Sequence, residues 1–143
     1  MTEADVIQPS ASVASTGLGI RYIGNHAWCM SGTFVASEST QTCLDFTSGA
    51  GYILADFQLN AAICVVNSSC VGGGYTQGFA IKFNGVVVAL VKSNAIQEDM
   101  PTTGIQRLMI PPLTHVVVTV ISDSADNSFA STVNMTGRVY GAT

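Results

Sequence analysis

From residue 52 to residue 60 the chain alternates between two faces. Ile53, Ala55, Phe57 and Leu59 share one, and Asp56, Gln58 and Asn60 share the other. A period of two fits a strand with one buried face and is incompatible with an amphipathic helix. The clearest turn signal is Asn84-Gly85, because both central residues of a type I′ hairpin turn need positive φ. A regular two-residue hairpin there pairs Phe83 with Val86, Ile81 with Val88 and Phe79 with Leu90, and puts these six on the core face. Ala80, Lys82, Val87, Ala89 and Val91 then face outward. Val87, Ala89 and Val91 are too apolar for a solvated face, and they are the expected contact surface for another copy of the chain.

Further strands are expected over 28–37, 41–47, 105–110, 115–121 and 130–140. Ile110-Pro111-Pro112-Leu113 marks a corner, since proline cannot donate to a central ladder. Asp123-Ser124-Ala125-Asp126-Asn127-Ser128 reads as a polar turn. In the last strand Val133, Met135 and Val139 alternate against Asn134, Thr136 and Arg138. About eight short strands with turn signals between them predict an all-β fold: an antiparallel β-sandwich of jelly-roll type. Helix is limited to a turn near 93–99. Residues 1–20, rich in Ala, Ser, Thr and Gly and without apolar periodicity, read as an extended N-terminal arm ordered by a neighbour. Residues 21–143 form the sandwich domain.

Composition makes the outward apolar positions more telling. Of 143 residues 48% are hydrophobic and only 10% charged, against about 25% charged in an average soluble domain. Such a chain is expected to cover part of its surface with a partner. Five Lys plus Arg in a chain of net charge -4 form no basic patch, so nucleic-acid binding lacks its electrostatic footprint. The apolar runs at 86–91 and 116–121 are far shorter than the roughly 20 residues of a membrane-spanning helix. The acidic start Met1-Thr2-Glu3-Ala4-Asp5 has no hydrophobic block behind it, so no secretory signal is expected and the chain reads as made in the cytoplasm and unprocessed.

Catalytic and metal-binding patterns are weak throughout, and no catalytic, cofactor-binding or metal-ligating residue is assigned. His26 and His115 each stand alone on a strand edge, short of the several His and a carboxylate that a cupin-type metal site needs. Asp45 with Asp56, or Glu98 with Asp99, are the carboxylate pairs available for glycoside chemistry; Glu98-Asp99 reads better as a solvated loop. Asp123, Asp126 and Asn127 lack the oxygen ladder of a calcium loop. Gly72-Gly73-Gly74 lacks the Gly-Lys-Ser/Thr of a phosphate loop. Asn67-Ser68-Ser69 and Asn134-Met135-Thr136 match the glycosylation pattern by chance when no signal precedes them. Cys29, Cys43, Cys64 and Cys70 do not space as a zinc site and read as reduced, buried thiols, with a Cys64–Cys70 disulfide as the alternative. Trp28, the single tryptophan, falls in register with Met30 and Phe34 and is expected in the core. Tyr22, Tyr52, Tyr75 and Tyr140 are dispersed. An outward Trp28 or clustered tyrosines would instead indicate a carbohydrate platform.

The C-terminal third carries a resemblance. Ile105-Gln106-Arg107-Leu108-Met109-Ile110-Pro111-Pro112-Leu113-Thr114-His115-Val116-Val117-Val118-Thr119-Val120 precedes the polar loop. Ala130-Ser131-Thr132-Val133-Asn134-Met135-Thr136-Gly137-Arg138-Val139-Tyr140 follows it. This strand, proline corner, strand, polar loop and T-G-R-V-Y strand resembles the head decoration (cement) proteins of tailed bacteriophages over about residues 50–140. The resemblance implies a non-enzymatic virion protein on the capsid surface, commonly a homotrimer, with the major capsid protein as partner and the arm reaching across shell subunits. The alternatives are a phage tail or fibre β-sandwich with receptor or carbohydrate binding, and a small β-sandwich hydrolase.

Overall fold

The computed structural model describes residues 19–32, 34, 38–64, 75–95, 102–122 and 129–141. Among them nine strands form two antiparallel sheets: β1 (Arg21–Ile23), β2 (His26–Met30), β3 (Gln41–Thr47), β4 (Tyr52–Cys64), β5 (Tyr75–Phe83), β6 (Val86–Ala95), β7 (Thr102–Ile110), β8 (His115–Ser122) and β9 (Phe129–Tyr140). The strand orders are β1-β2-β9-β4-β7 and β3-β8-β5-β6.

The pairings are nested. β5 pairs with β6, β4 with β7, β3 with β8 and β2 with β9, and successive pairs alternate between the sheets. The chain is one long hairpin, doubled back at Asn84-Gly85 and rolled into a sandwich, which is the jelly-roll arrangement expected from the sequence. Both turn residues have positive φ, 52° at Asn84 and 85° at Gly85. The proline corner carries the chain from β7 in one sheet to β8 in the other. Ser48 fastens it: its hydroxyl donates to Pro111 O at 2.8 Å and accepts from Thr114 N at 2.9 Å.

The core between the sheets is built from the inward face of each strand, including Leu44, Ile53, Phe57, Leu59, Phe79, Ile81, Val116, Val118, Val133 and Met135. The rung Ala27–Gly137–Ala55 is lined by small residues. A Cβ on Gly137 would stand 2.5 Å from Ile53 Cγ2 and 2.6 Å from Leu54 O, so the backbones approach too closely for any side chain there.

Several expectations are corrected. Of the strand placed at 28–37, β2 ends at Met30; Gly32 has φ 72°, Phe34 forms a bridge to Ser131, and residues 33 and 35–37 lie outside the described residues. Ser93, Asn94 and Ala95 continue β6 rather than starting a helical turn. Ile20, the last residue assigned to the arm, packs into the core; residues 1–18 of that arm lie outside the described residues.

The regular hairpin register is also overturned. Phe83 faces Val86 and Lys82 faces Val87, but the register then shifts, so Ile81 faces Ala89, Ala80 faces Leu90 and Phe79 faces Val91. Val88 is the extra residue of a β-bulge. Beyond it every side chain changes face. Ala89 and Val91 therefore pack against the core, and Leu90 turns outward.

Candidate functional site

Both outer faces of the sandwich expose apolar side chains, among them Leu54, Ile105 and Met109 on the five-stranded sheet, but only that sheet also carries the aromatic and arginine cluster. On the four-stranded sheet, edge strand β6 exposes Val86, Val87, Val88 and Leu90 at 64, 46, 41 and 76%. Ile121, 45% exposed on β8, adds to this apolar surface. Between Leu90 and Ile121 lie Gly78 and Ala80 of β5, which have almost no side chain. A depression of about 740 Å³ results, bordered by Lys82 and Lys92. Of the three residues expected at a contact surface, Val87 stands there, whereas Ala89 and Val91 do not. Leu90 was missed because the bulge reverses its face. Ile121 was legible in the alternation of His115, Val117, Thr119 and Ile121 against Val116, Val118 and Val120.

On the five-stranded sheet Trp28 is outward, contrary to the expected core position, because its neighbours Ala27 and Cys29 are the buried ones. The close approach around Gly137 admits only small inward side chains at that rung, so β2 sits with its large residues outside. The Arg21 guanidinium carbon lies 5.3 Å from the Trp28 ring centre. Tyr52 and Tyr140, cross-strand neighbours, stack at 5.4 Å and 19°. The Arg138 guanidinium carbon lies 5.7 Å from the Tyr140 ring. Arg107 grips Asp56 through Nε–Oδ1 at 2.8 Å and Nη2–Oδ2 at 3.2 Å, which holds the Asp56 carboxyl below its usual range. All three arginines of the chain thus lie on this face. An open groove of about 380 Å³ runs beside Trp28, lined also by His26, Met30, Gln58, Asn134 and Thr136.

The candidate catalytic pairs are separated by the sandwich. Asp45 stands on the outer face of the four-stranded sheet, 2.6 Å from His115 Nε2, while Asp56 and His26 stand on the opposite outer face. Neither the two histidines nor this carboxylate pair converges on one point. Among the described residues no three His, Cys, Asp or Glu side chains group as metal ligands. Cys29 and Cys43 are buried thiols outside any disulfide, and burial pushes both up to about 12, which leaves them without thiolate at neutral pH. Glu98, Asp99, Asp123, Asp126, Asn127, Cys70 and the Gly72-Gly73-Gly74 run lie outside the described residues. No helix among the described residues is long and apolar enough to cross a membrane.

No protein-family model matches the chain, and no curated protein sequence does. Among solved structures, the chain is similar to one in the structure of infectious bursal disease virus, Gx strain. The identity is 14% and the TM-score 0.49, over 81% of this chain and 31% of that one. It is also similar, at 14% identity and a TM-score of 0.35, to the CBM36-1 domain of a multidomain xylanase from the hindgut metagenome of Trinervitermes trinervoides, over 84% of this chain and 75% of that one. The chain therefore spans about a third of the length of the virus chain. At this level of likeness neither protein's role carries over.

Proposed function

We propose that this chain is a non-enzymatic structural subunit of a virion, which self-associates and docks on an assembled shell through the outer face and edge of β6. The observation that carries the reading is the run of exposed apolar residues Val86, Val87, Val88 and Leu90 along edge strand β6, with Ile121 beside it, in a chain that is 10% charged. Contiguous exposed apolar surface of this kind marks protein contact, and an edge strand leaves backbone donors and acceptors unpaired.

Capsid decoration is the finer reading and draws on the resemblance of residues 105–140 to phage cement proteins. In that role the chain is a homotrimer on the capsid surface, the major capsid protein is its partner, and the arm that precedes Ile20 reaches over neighbouring shell subunits. The tail or fibre alternative would use the same apolar face on a different part of the particle. The mechanism is linkage: a protein that binds the assembled shell and not its separated subunits stabilises the shell, by about 2.7 kcal/mol per site at a hundredfold excess over Kd.

The test is reconstitution. Particles assembled without this chain should melt at a lower temperature, and adding the full chain back should restore the lost stability. A chain lacking residues 1–18 should restore only part of it. Full restoration by the truncated chain would remove the arm from the reading, and no binding by either form would sink the reading itself.

A further inference from the structure

We infer that the groove beside Trp28, on the outer face of the five-stranded sheet, binds an acidic saccharide, a pyranose bearing a carboxylate. The groove combines an aromatic ring, two amides and a hydroxyl on three adjacent strands: Trp28 on β2, Asn134 and Thr136 on β9, and Gln58 on β4. Thr136 faces Trp28 across β2–β9, and Asn134 faces Gln58 across β9–β4. Strand pairing sets these side chains on one flat surface at fixed spacing, so little ordering is needed on binding.

The residue types match one ligand chemistry. A pyranose ring has an apolar face of axial C–H groups, which an indole covers without losing hydrogen bonds. Its equatorial hydroxyls are both donors and acceptors, and so are the carboxamides of Gln58 and Asn134 and the Thr136 hydroxyl. The volume of about 380 Å³ falls within the roughly 300–1,000 Å³ of small-ligand sites.

Charge narrows the class. Arg21 faces Trp28 on one flank of the groove, and Arg138 faces His26 on the other. Arg107 is matched by Asp56, but among the described residues neither Arg21 nor Arg138 has a carboxylate in salt-bridge range. Two guanidiniums, each set over an aromatic ring, thus flank a sugar-sized groove in a chain of net charge -4. Guanidinium geometry suits a bidentate carboxylate. A uronate polymer and a sialylated glycan both supply that group.

The single tryptophan makes the test direct, since its fluorescence reports on this groove alone. The full chain is titrated with hexagalacturonate, with sialyllactose and with neutral cellohexaose, by Trp28 fluorescence and by calorimetry. At least one acidic probe should shift the emission and bind at least tenfold more tightly than the neutral one, more weakly as salt rises. Which acidic probe wins identifies the source of the carboxylate. Arg138→Gln and Gln58→Ala, both at exposed positions that keep the tryptophan, should each weaken binding about tenfold with unchanged circular dichroism. Trp28→Ala, followed by calorimetry, should abolish it. Neither acidic probe binding, neutral binding of equal strength, or binding indifferent to Arg138→Gln and Gln58→Ala would overturn the assignment. None of these outcomes bears on self-association through β6.

Discussion

Ile81 lies opposite Ala89, not Val88, across the hairpin that closes at Asn84-Gly85. That one-residue offset decides which side chains of β6 reach the core and which are exposed. It predicts an asymmetry between neighbours. Ala89→Lys puts an ammonium against the core and should lower stability by at least about 2 kcal/mol. Val88→Lys should change it by under about 0.5 kcal/mol. Urea unfolding of the two variants checks this; the reverse order would restore the regular register.

Gly137 should tolerate no side chain. Alanine there drives a methyl into Ile53 and the backbone at Leu54 and Ala55, an overpacking that costs about 3 kcal/mol where backbone must yield. The urea midpoint of Gly137→Ala measures it, and a midpoint within error of the parent would contradict the close approach.

Ser48 ties the proline corner with two hydrogen bonds from one hydroxyl. Ser48→Ala leaves the buried Thr114 N–H without that acceptor and should cost about 1–3 kcal/mol. Thermal unfolding reads the loss.

Gln77 is fully buried, with Oε1 accepting from Ser131 at 3.1 Å and Nε2 without a partner among the described residues. Removing both polar partners at once should remove the desolvation cost that the unpaired amide nitrogen imposes. Gln77→Met with Ser131→Ala is expected to match or exceed the parent stability, while Gln77→Met alone strands the Ser131 hydroxyl and gains less. A double-mutant cycle separates the two.

The buried thiols set an alkaline limit. Cys29 and Cys43 are held protonated up to about 12 in the fold, whereas an unfolded thiol titrates near 8.5. Their contribution is complete below about pH 8.5 and is lost as pH rises toward 12, because the unfolded chain then binds fewer protons. The Cys29→Ala, Cys43→Ala double variant should show a shallower fall in stability between pH 9 and 11. Identical slopes would contradict the burial of these thiols.

Much of the fold was legible because its signals are local. The alternation at 52–60, the turn at Asn84-Gly85 and the corner at Pro111-Pro112 each follow from a residue's own backbone or side-chain preference. The β6 bulge was not, because Val86-Val87-Val88 offers no polar residue to betray a change of face. Trp28 was misplaced for a related reason: Ala27 and Cys29 look like weak core residues until the closeness of Gly137 on β9 is known. That contact joins residues more than a hundred positions apart, and no local pattern encodes it. Of the three positions expected to face outward, Val87 is exposed, whereas Ala89 and Val91 pack against the core, and the exposed apolar positions extend to Leu90 and Ile121.

Sedimentation equilibrium of the full chain, beside Leu90→Lys, tests the central claim most directly. Leu90 is 76% exposed, so the variant should fold as the parent does. The parent should sediment as an oligomer of the 14.9 kDa chain, and Leu90→Lys should shift the equilibrium toward monomer at least tenfold. A parent that stays monomeric at every concentration, or an oligomer that Leu90→Lys leaves untouched, would contradict assembly through β6.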